Sequence, residues 1–231
     1  MNEPIKLSIR NKDLINSYFL ILHNKTDELR VKLIPKISAI ENCYGKDNKI
    51  IILTKLPLSA IAVQLLMCKS LVSTFYNHEW WDEINMKNEG RELFKKNHET
   101  FLNIFFLVNF FSNVESALRE LIQKLHHGAC DDGKSNFESI YKMILSRLGL
   151  KKYLCVFDLM SIIRNSIHTN GIYRPSKSDK NRTVECLGKK FEFDYNKPIN
   201  IFYPELTVEI EEQVFDCLIE ILNHKEIKKL K

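Results

Sequence analysis

Glycine and proline are scarce in this chain, seven and six among 231 residues. An all-β protein needs such residues at regular intervals to turn its strands, so a turn-rich sandwich or barrel is excluded and a helical architecture is expected. The six cysteines (Cys43, Cys68, Cys130, Cys155, Cys186 and Cys217) contain no C-x-x-C pair and sit mostly among apolar neighbours. That spacing excludes a disulfide framework and points to free thiols in a reducing compartment. No stretch reaches the roughly 18 uninterrupted apolar residues of a membrane span. The nearest candidate, FLNIFFLVNFF at 101 to 111, is broken by Asn103 and Asn109, and the N-terminal MNEPIKLSIRNKD lacks the apolar core of a secretion signal. A cytoplasmic protein without a membrane partner is expected. Also missing are a glycine-rich phosphate loop, a G-x-S-x-G elbow and an H-E-x-x-H helix, so no cofactor and no metal are expected.

What is present reads as globular, with 45% hydrophobic and 27% charged residues. A net charge of +5 permits a polyanionic partner without demanding one. The densest basic run, Lys225, Lys228, Lys229 and Lys231, reads as a solvated helix end complementing the helix dipole.

Apolar residues recur at helical spacing from 13 to 44, with Pro35 interrupting, so two consecutive helices or one kinked helix fit. After IIIL at 50 to 53, Pro57 is placed in the first turn of an apolar helix that needs cover on most sides. The polar stretch NHEWWDEINMKNEG, 77 to 90, reads as a connector, and at least one of Trp80 and Trp81 is expected to pin it to the core. It divides an N-terminal helical region of unassigned role, 1–90, from a second region, 91–231. A long helix follows from Leu93 to about His126, carrying Glu115 and Arg119 as an i,i+4 pair. Ser135 and Glu138 read as a capping box for the next helix, and Gly149 as its stop. Another helix over about 152 to 169 ends in Thr169, Asn170 and Gly171. The period then changes from 3.6 to 2, which places a β-hairpin at about 184 to 195 with Gly188 first in a two-residue turn. Phe191, Phe193 and Tyr195 share one of its faces, and a last helix from about Leu206 to Leu230 closes the bundle.

Two clusters could carry chemistry. HHGACDD gathers His126, His127, Cys130, Asp131 and Asp132, but its spacing matches no structural zinc pattern and no second ligand pair waits elsewhere. The stretch RNSIHTNG, 164 to 171, is sharper. Arg164 and His168 stand i,i+4 on one helical face with Asn165 beside them, near the helix end. A guanidinium can hold a phosphate bidentately, and an imidazole titrates near neutrality and can move protons. RNA carries its own nucleophile in the 2′-hydroxyl, so positioning, proton transfer and charge stabilisation could suffice without a metal. The same pair also suits the ordinary polar end of a helix.

DLMSIIRNSIHTNGIY, preceded by FFSNVESALRELI in a long helix, resembles the HEPN superfamily over roughly residues 95 to 231. The resemblance implies a mainly α helical bundle of HEPN type, with the small hairpin inserted near the C-terminus. It further implies a homodimer with two motifs facing across a cleft and, in many members, metal-independent endoribonuclease activity within bacterial toxin–antitoxin or phage-defence systems. On that footing His168 is the general acid or base, Arg164 holds the scissile phosphate, and Asn165 orients either one. RNA and an antitoxin or defence protein are the implied partners. A non-catalytic HEPN module binding RNA or protein is the alternative, and a structural dimerisation domain a third. Here three residues separate Arg164 from His168, fewer than is usual in the family, and Asn170 stands where some members carry a modified Tyr. Tyr173, further on, reads as a packing residue.

Overall fold

A computed structural model describes residues 18–75, 78–126, 128–129, 136–175, 180–199 and 203–230. The N-terminal part of the first expected helix and, within HHGACDD, His127, Cys130, Asp131 and Asp132 lie outside them.

The described chain is mainly helical with one two-stranded antiparallel hairpin. Helix α1, Tyr18–Tyr44, buries Phe19, Leu22, Thr26, Leu29, Leu33, Ile37, Ile40 and Tyr44 at three- and four-residue intervals. It runs through Pro35 as one element instead of two. Pro35 and Val31 both face solvent, so water can satisfy the carbonyl that the missing N–H leaves unpaired.

A 3₁₀ turn, Lys49–Ile51, is capped by the Asn48 side chain, which accepts from the Ile50 N–H at 2.9 Å. It leads straight into α2, Ile52–Phe75, so Pro57 lies inside the helix and not in its first turn. Cover on most sides is not what α2 receives. One broad face, from Leu53 to Phe75, is buried, while Val63 and Leu66 are exposed. Residues 49–75 and 89–125 are long and apolar enough to cross a membrane by length and composition, and about half of each apolar window is buried inside this fold.

The stretch read as a connector is ordered on the core. In α3, His78–Glu83, Trp81 is buried and its Nε1–H donates to the Phe75 carbonyl at 2.7 Å. Phe75, Trp80, Trp81, Phe94 and His98 form one aromatic cluster of tilted and edge-to-face rings. Helix α4, Asn88–Leu125, starts earlier than the periodicity predicts and takes Gly90 into its first turn. Helix α5, Phe137–Arg147, is capped by Asn136, which accepts from the Ser139 N–H at 2.8 Å and the Ser139 hydroxyl at 2.9 Å. The expected Ser135 cap is thereby displaced by one residue, and Ser135 itself is outside the described residues. Helix α6, Leu154–Ile167, follows a 3₁₀ turn, Lys151–Tyr153.

The hairpin pairs β1, Arg182–Cys186, with β2, Lys189–Phe193, in register Arg182↔Phe193 to Cys186↔Lys189. Its turn is Leu187–Gly188, both at positive φ (56° and 68°), so Gly188 is second in the turn and not first. Two left-handed residues match the twist of the flanking strands. Val184, Cys186, Phe191 and Phe193 face the core, while Tyr195 lies beyond the strand and is exposed. Helix α7, Pro204–Asn223, opens with proline at its start and is followed by a short basic α8, Lys225–Lys228.

Helix α1 packs against α2 and α7, α2 against α4, α5 against α6, and α6 against β1. Buried side chains from both sides of residue 90 belong to one hydrophobic cluster. Across α1 and α7, Lys32 pairs with Glu212 at 3.2 Å and Lys36 with Asp216 at 2.8 Å, and Tyr44 donates its hydroxyl proton to the Leu222 carbonyl.

Candidate functional site: a cationic cleft beside the end of helix α6

The end of α6 is fixed by its stop signal. Asn170 and Gly171 take positive φ (57° and 78°), and the Gly171 N–H donates to the Ser166 carbonyl at 2.8 Å. The Thr169 hydroxyl donates within the same turn, lying 2.9 Å from the Ser166 carbonyl and also against that of Ile172. This left-handed reversal satisfies the last carbonyls of the helix and redirects the chain. It delivers Tyr173 into the core against Phe193, with ring centroids 5.6 Å apart, as its packing role requires. Arg174 follows on the surface.

The reversal opens a cleft of about 670 Å³. Its walls are Ser161, Arg164, Asn165 and Ser166 of α6, the start of α5 at Asn136 to Glu138, and the chain at Tyr173 to Pro175 and Lys180 to Arg182. Four cations therefore converge: Arg164, Arg174, Lys180 and Arg182. Glu138, the one carboxylate in the lining among the described residues, pairs with Lys142 at 2.5 Å. Ser166 is buried, and its hydroxyl has no hydrogen-bond partner among the described residues.

Each arginine is held from behind. One Arg164 nitrogen lies 3.5 Å from Oε2 of Glu115 on α4, while Oε1 of Glu115 accepts from Arg119 at 2.6 and 3.0 Å. The i,i+4 pair visible in the sequence is thus part of a three-member network that reaches the motif. Arg182 donates to Asp158 of α6 at 2.9 Å, and Tyr141 donates its hydroxyl proton to the same carboxylate. Burial, reinforced by that hydrogen bond, raises the Tyr141 phenol well above its ordinary range, which keeps it a donor. Arg174 donates to the Asn196 side chain at 2.8 Å.

Of the three residues proposed for catalysis, the fold brings Arg164 and Asn165 into the cleft. His168 caps the C-terminus of α6, exposed and outside the cleft lining. Arg174, Lys180 and Arg182 belong to the polar stretch RPSKSDKNR, 174 to 182, which carries no motif. Their signal was only the basic composition of that stretch. Among the described residues no group of three His, Cys, Asp or Glu is placed to hold a metal ion, and His126 instead contacts Arg147 at 2.8 Å.

A second polar cluster lies inside the bundle. The Gln64 amide donates to Thr26 at 2.8 Å and to Oε2 of Glu211 at 3.4 Å. Burial pushes the Glu211 carboxyl up to about 8, against the Gln64 hydrogen bond that lowers it, and burial pushes the nearby Cys68 thiol up to about 12. Glu211 had a signal in the sequence, because it occupies the apolar face of α7 between Val208 and Phe215.

Compared with family models, curated proteins and solved structures, the chain matches none.

Proposed function

We propose that this protein acts on RNA as a HEPN-type, metal-independent endoribonuclease. The observation that carries the reading is the convergence of Arg164, Arg174, Lys180 and Arg182 on one cleft beside the RNSIHTNG motif. Phosphodiester groups are the natural occupants of such a surface, because guanidinium groups meet phosphate oxygens in paired hydrogen bonds. Arg164, steadied by Glu115, holds the scissile phosphate. His168, about one helical turn beyond Arg164, takes the proton of the attacking 2′-hydroxyl or returns one to the departing 5′-oxygen, and Asn165 orients the phosphate or the imidazole. In a homodimer a second motif faces the first. An antitoxin or defence protein as neutralising partner, and a cytoplasmic location, belong to the same proposal.

The position of His168 outside the cleft lining favours a second reading, an RNA-binding module of the same type without cleavage. RNA incubated with the purified protein in EDTA separates the two. Cleavage is expected, and His168→Ala should lower it by about 10²- to 10⁴-fold while leaving fold and oligomer intact. Undiminished cleavage by that variant refutes the assignment of His168. Salt-sensitive RNA binding without any cleavage, weakened by Arg164→Ala, establishes the second reading.

A further inference from the structure

Cys155 and Cys186 sit together in a way that nothing in the RNA reading uses. Cys155 lies in the first turn of α6 and Cys186 ends β1, and their Sγ atoms are 2.9 Å apart. Strand and helix are also held to each other by the Arg182–Asp158 pair at 2.9 Å. That ion pair lies near the opposite end of the strand, so two separate contacts fix β1 along α6. The two thiols differ in access. Cys155 is half-buried and follows the exposed Lys151 and Lys152, whereas Cys186 is buried under the hairpin turn.

We propose that Cys155 and Cys186 form a reversible dithiol–disulfide site, oxidised by small disulfides of the glutathione class. The accessible Cys155 thiolate attacks one sulfur of oxidised glutathione, breaking its S–S bond and releasing one glutathione thiolate. The Cys186 thiol then gives up its proton and attacks the Cys155 sulfur of the mixed disulfide, releasing the second glutathione. Two protein thiols become one disulfide, one oxidised glutathione becomes two reduced molecules, and the electron pair passes to glutathione. The exposed Lys151 favours the approach of this anionic oxidant to Cys155, while Lys152 is paired with Glu220 at 2.6 Å. Burial raises the Cys186 thiol far above its ordinary range, so it does not start the exchange, and its position 2.9 Å from the Cys155 sulfur is what lets it resolve the mixed disulfide. The closed ring spans residues 155 to 186 and so encloses the whole RNSIHTNG motif. It ties the strand that begins with Arg182 to the helix that carries Arg164, joining two walls of the cleft.

Full-length protein equilibrated with oxidised and reduced glutathione tests this by mass spectrometry and non-reducing peptide mapping. The expected product is a peptide pair linked through Cys155 and Cys186, lighter by two hydrogen masses and restored by dithiothreitol. Cys186→Ser should instead accumulate glutathione on Cys155, because the resolving thiol is gone, and Cys155→Ser should leave Cys186 unmodified. The mapping of the unsubstituted chain stands whether or not either variant folds. Two thiols that stay reduced under strongly oxidising ratios, or a glutathione adduct on Cys155 that persists with Cys186 present, would overturn the proposal. RNA binding need not be known for either result, so the redox site and the RNA reading fail independently.

Discussion

Glu115 and Glu211 are both glutamates on long helices turned toward the interior, and they meet opposite surroundings. Glu115 on α4 lies between two guanidiniums, Arg119 and Arg164, at the side of an open cleft. Glu211 on α7 is fully buried beside α1 and α2, bonded by the Gln64 amide and with no cation facing it among the described residues. Charge is therefore concentrated where solvent and ligand can reach it, while the closed end of the bundle carries a carboxyl that is mostly neutral at pH 7. A buried ion would cost several kcal/mol, and protonation is the cheaper way to keep the polar group.

Substitutions that exchange the character of these two regions give graded effects. The largest is expected at Glu211. Its folded-state value of about 8 lies above the ordinary 4.5, so between these limits the folded chain binds a proton that the unfolded chain releases. Its contribution to stability is full below about pH 4.5, declines as pH rises, and is flat above about 8. Glu211→Gln removes that dependence, and the stability difference between wild type and variant should change by roughly 5 kcal/mol across the window. Urea unfolding at several pH values measures it, and a difference that does not vary with pH contradicts the protonated carboxyl.

Next comes Glu115→Ala, which strips two arginines of their shared partner and should cost about 1–2 kcal/mol, discounted because both guanidiniums are partly solvated. If Arg164→Ala is made in the same background, the second loss should be smaller than in wild type. Strict additivity would show that the network does not couple α4 to the motif. Asn136→Ala removes the cap of α5 at the cleft edge and should destabilise by about 1 kcal/mol, read as a lower thermal midpoint. The smallest stability effect belongs to Arg174→Ala, within about 0.5 kcal/mol as for most surface substitutions. On the RNA reading proposed above, this variant should bind RNA with a salt dependence reduced by about one phosphate contact. An unchanged slope would remove Arg174 from the interface.

Much of the helical layout was legible because long periodic segments announce themselves. The stop at Thr169 to Gly171, the packing of Tyr173 and the anchoring by Trp81 all follow from residue chemistry that acts locally. Details failed where two local solutions compete. Ser135 with Glu138 and Asn136 with Ser139 both satisfy a helix start, and the second prevails. Leu187 at positive φ is costly for a residue with a side chain, so the sequence favoured a turn beginning at Gly188. Pro57 read as a helix start because the apolar run before it could equally be a strand. The cleft was the least legible part. Arg164 meets Glu115 and Arg182 meets Asp158 only through tertiary packing, and no periodicity reports a contact between separate elements.

The pairing of α1 with α7 has a consequence for timing. Lys32 and Glu212 are 180 positions apart. At translation rates of ~5–20 residues per second, the first helix waits roughly 10–40 s for the partner that covers it. During that interval its row of Leu22, Leu29, Leu33 and Ile37 has only α2 to lie against. In a nascent chain of this protein the apolar face of the first helix thus stays partly uncovered until the last long helix leaves the ribosome.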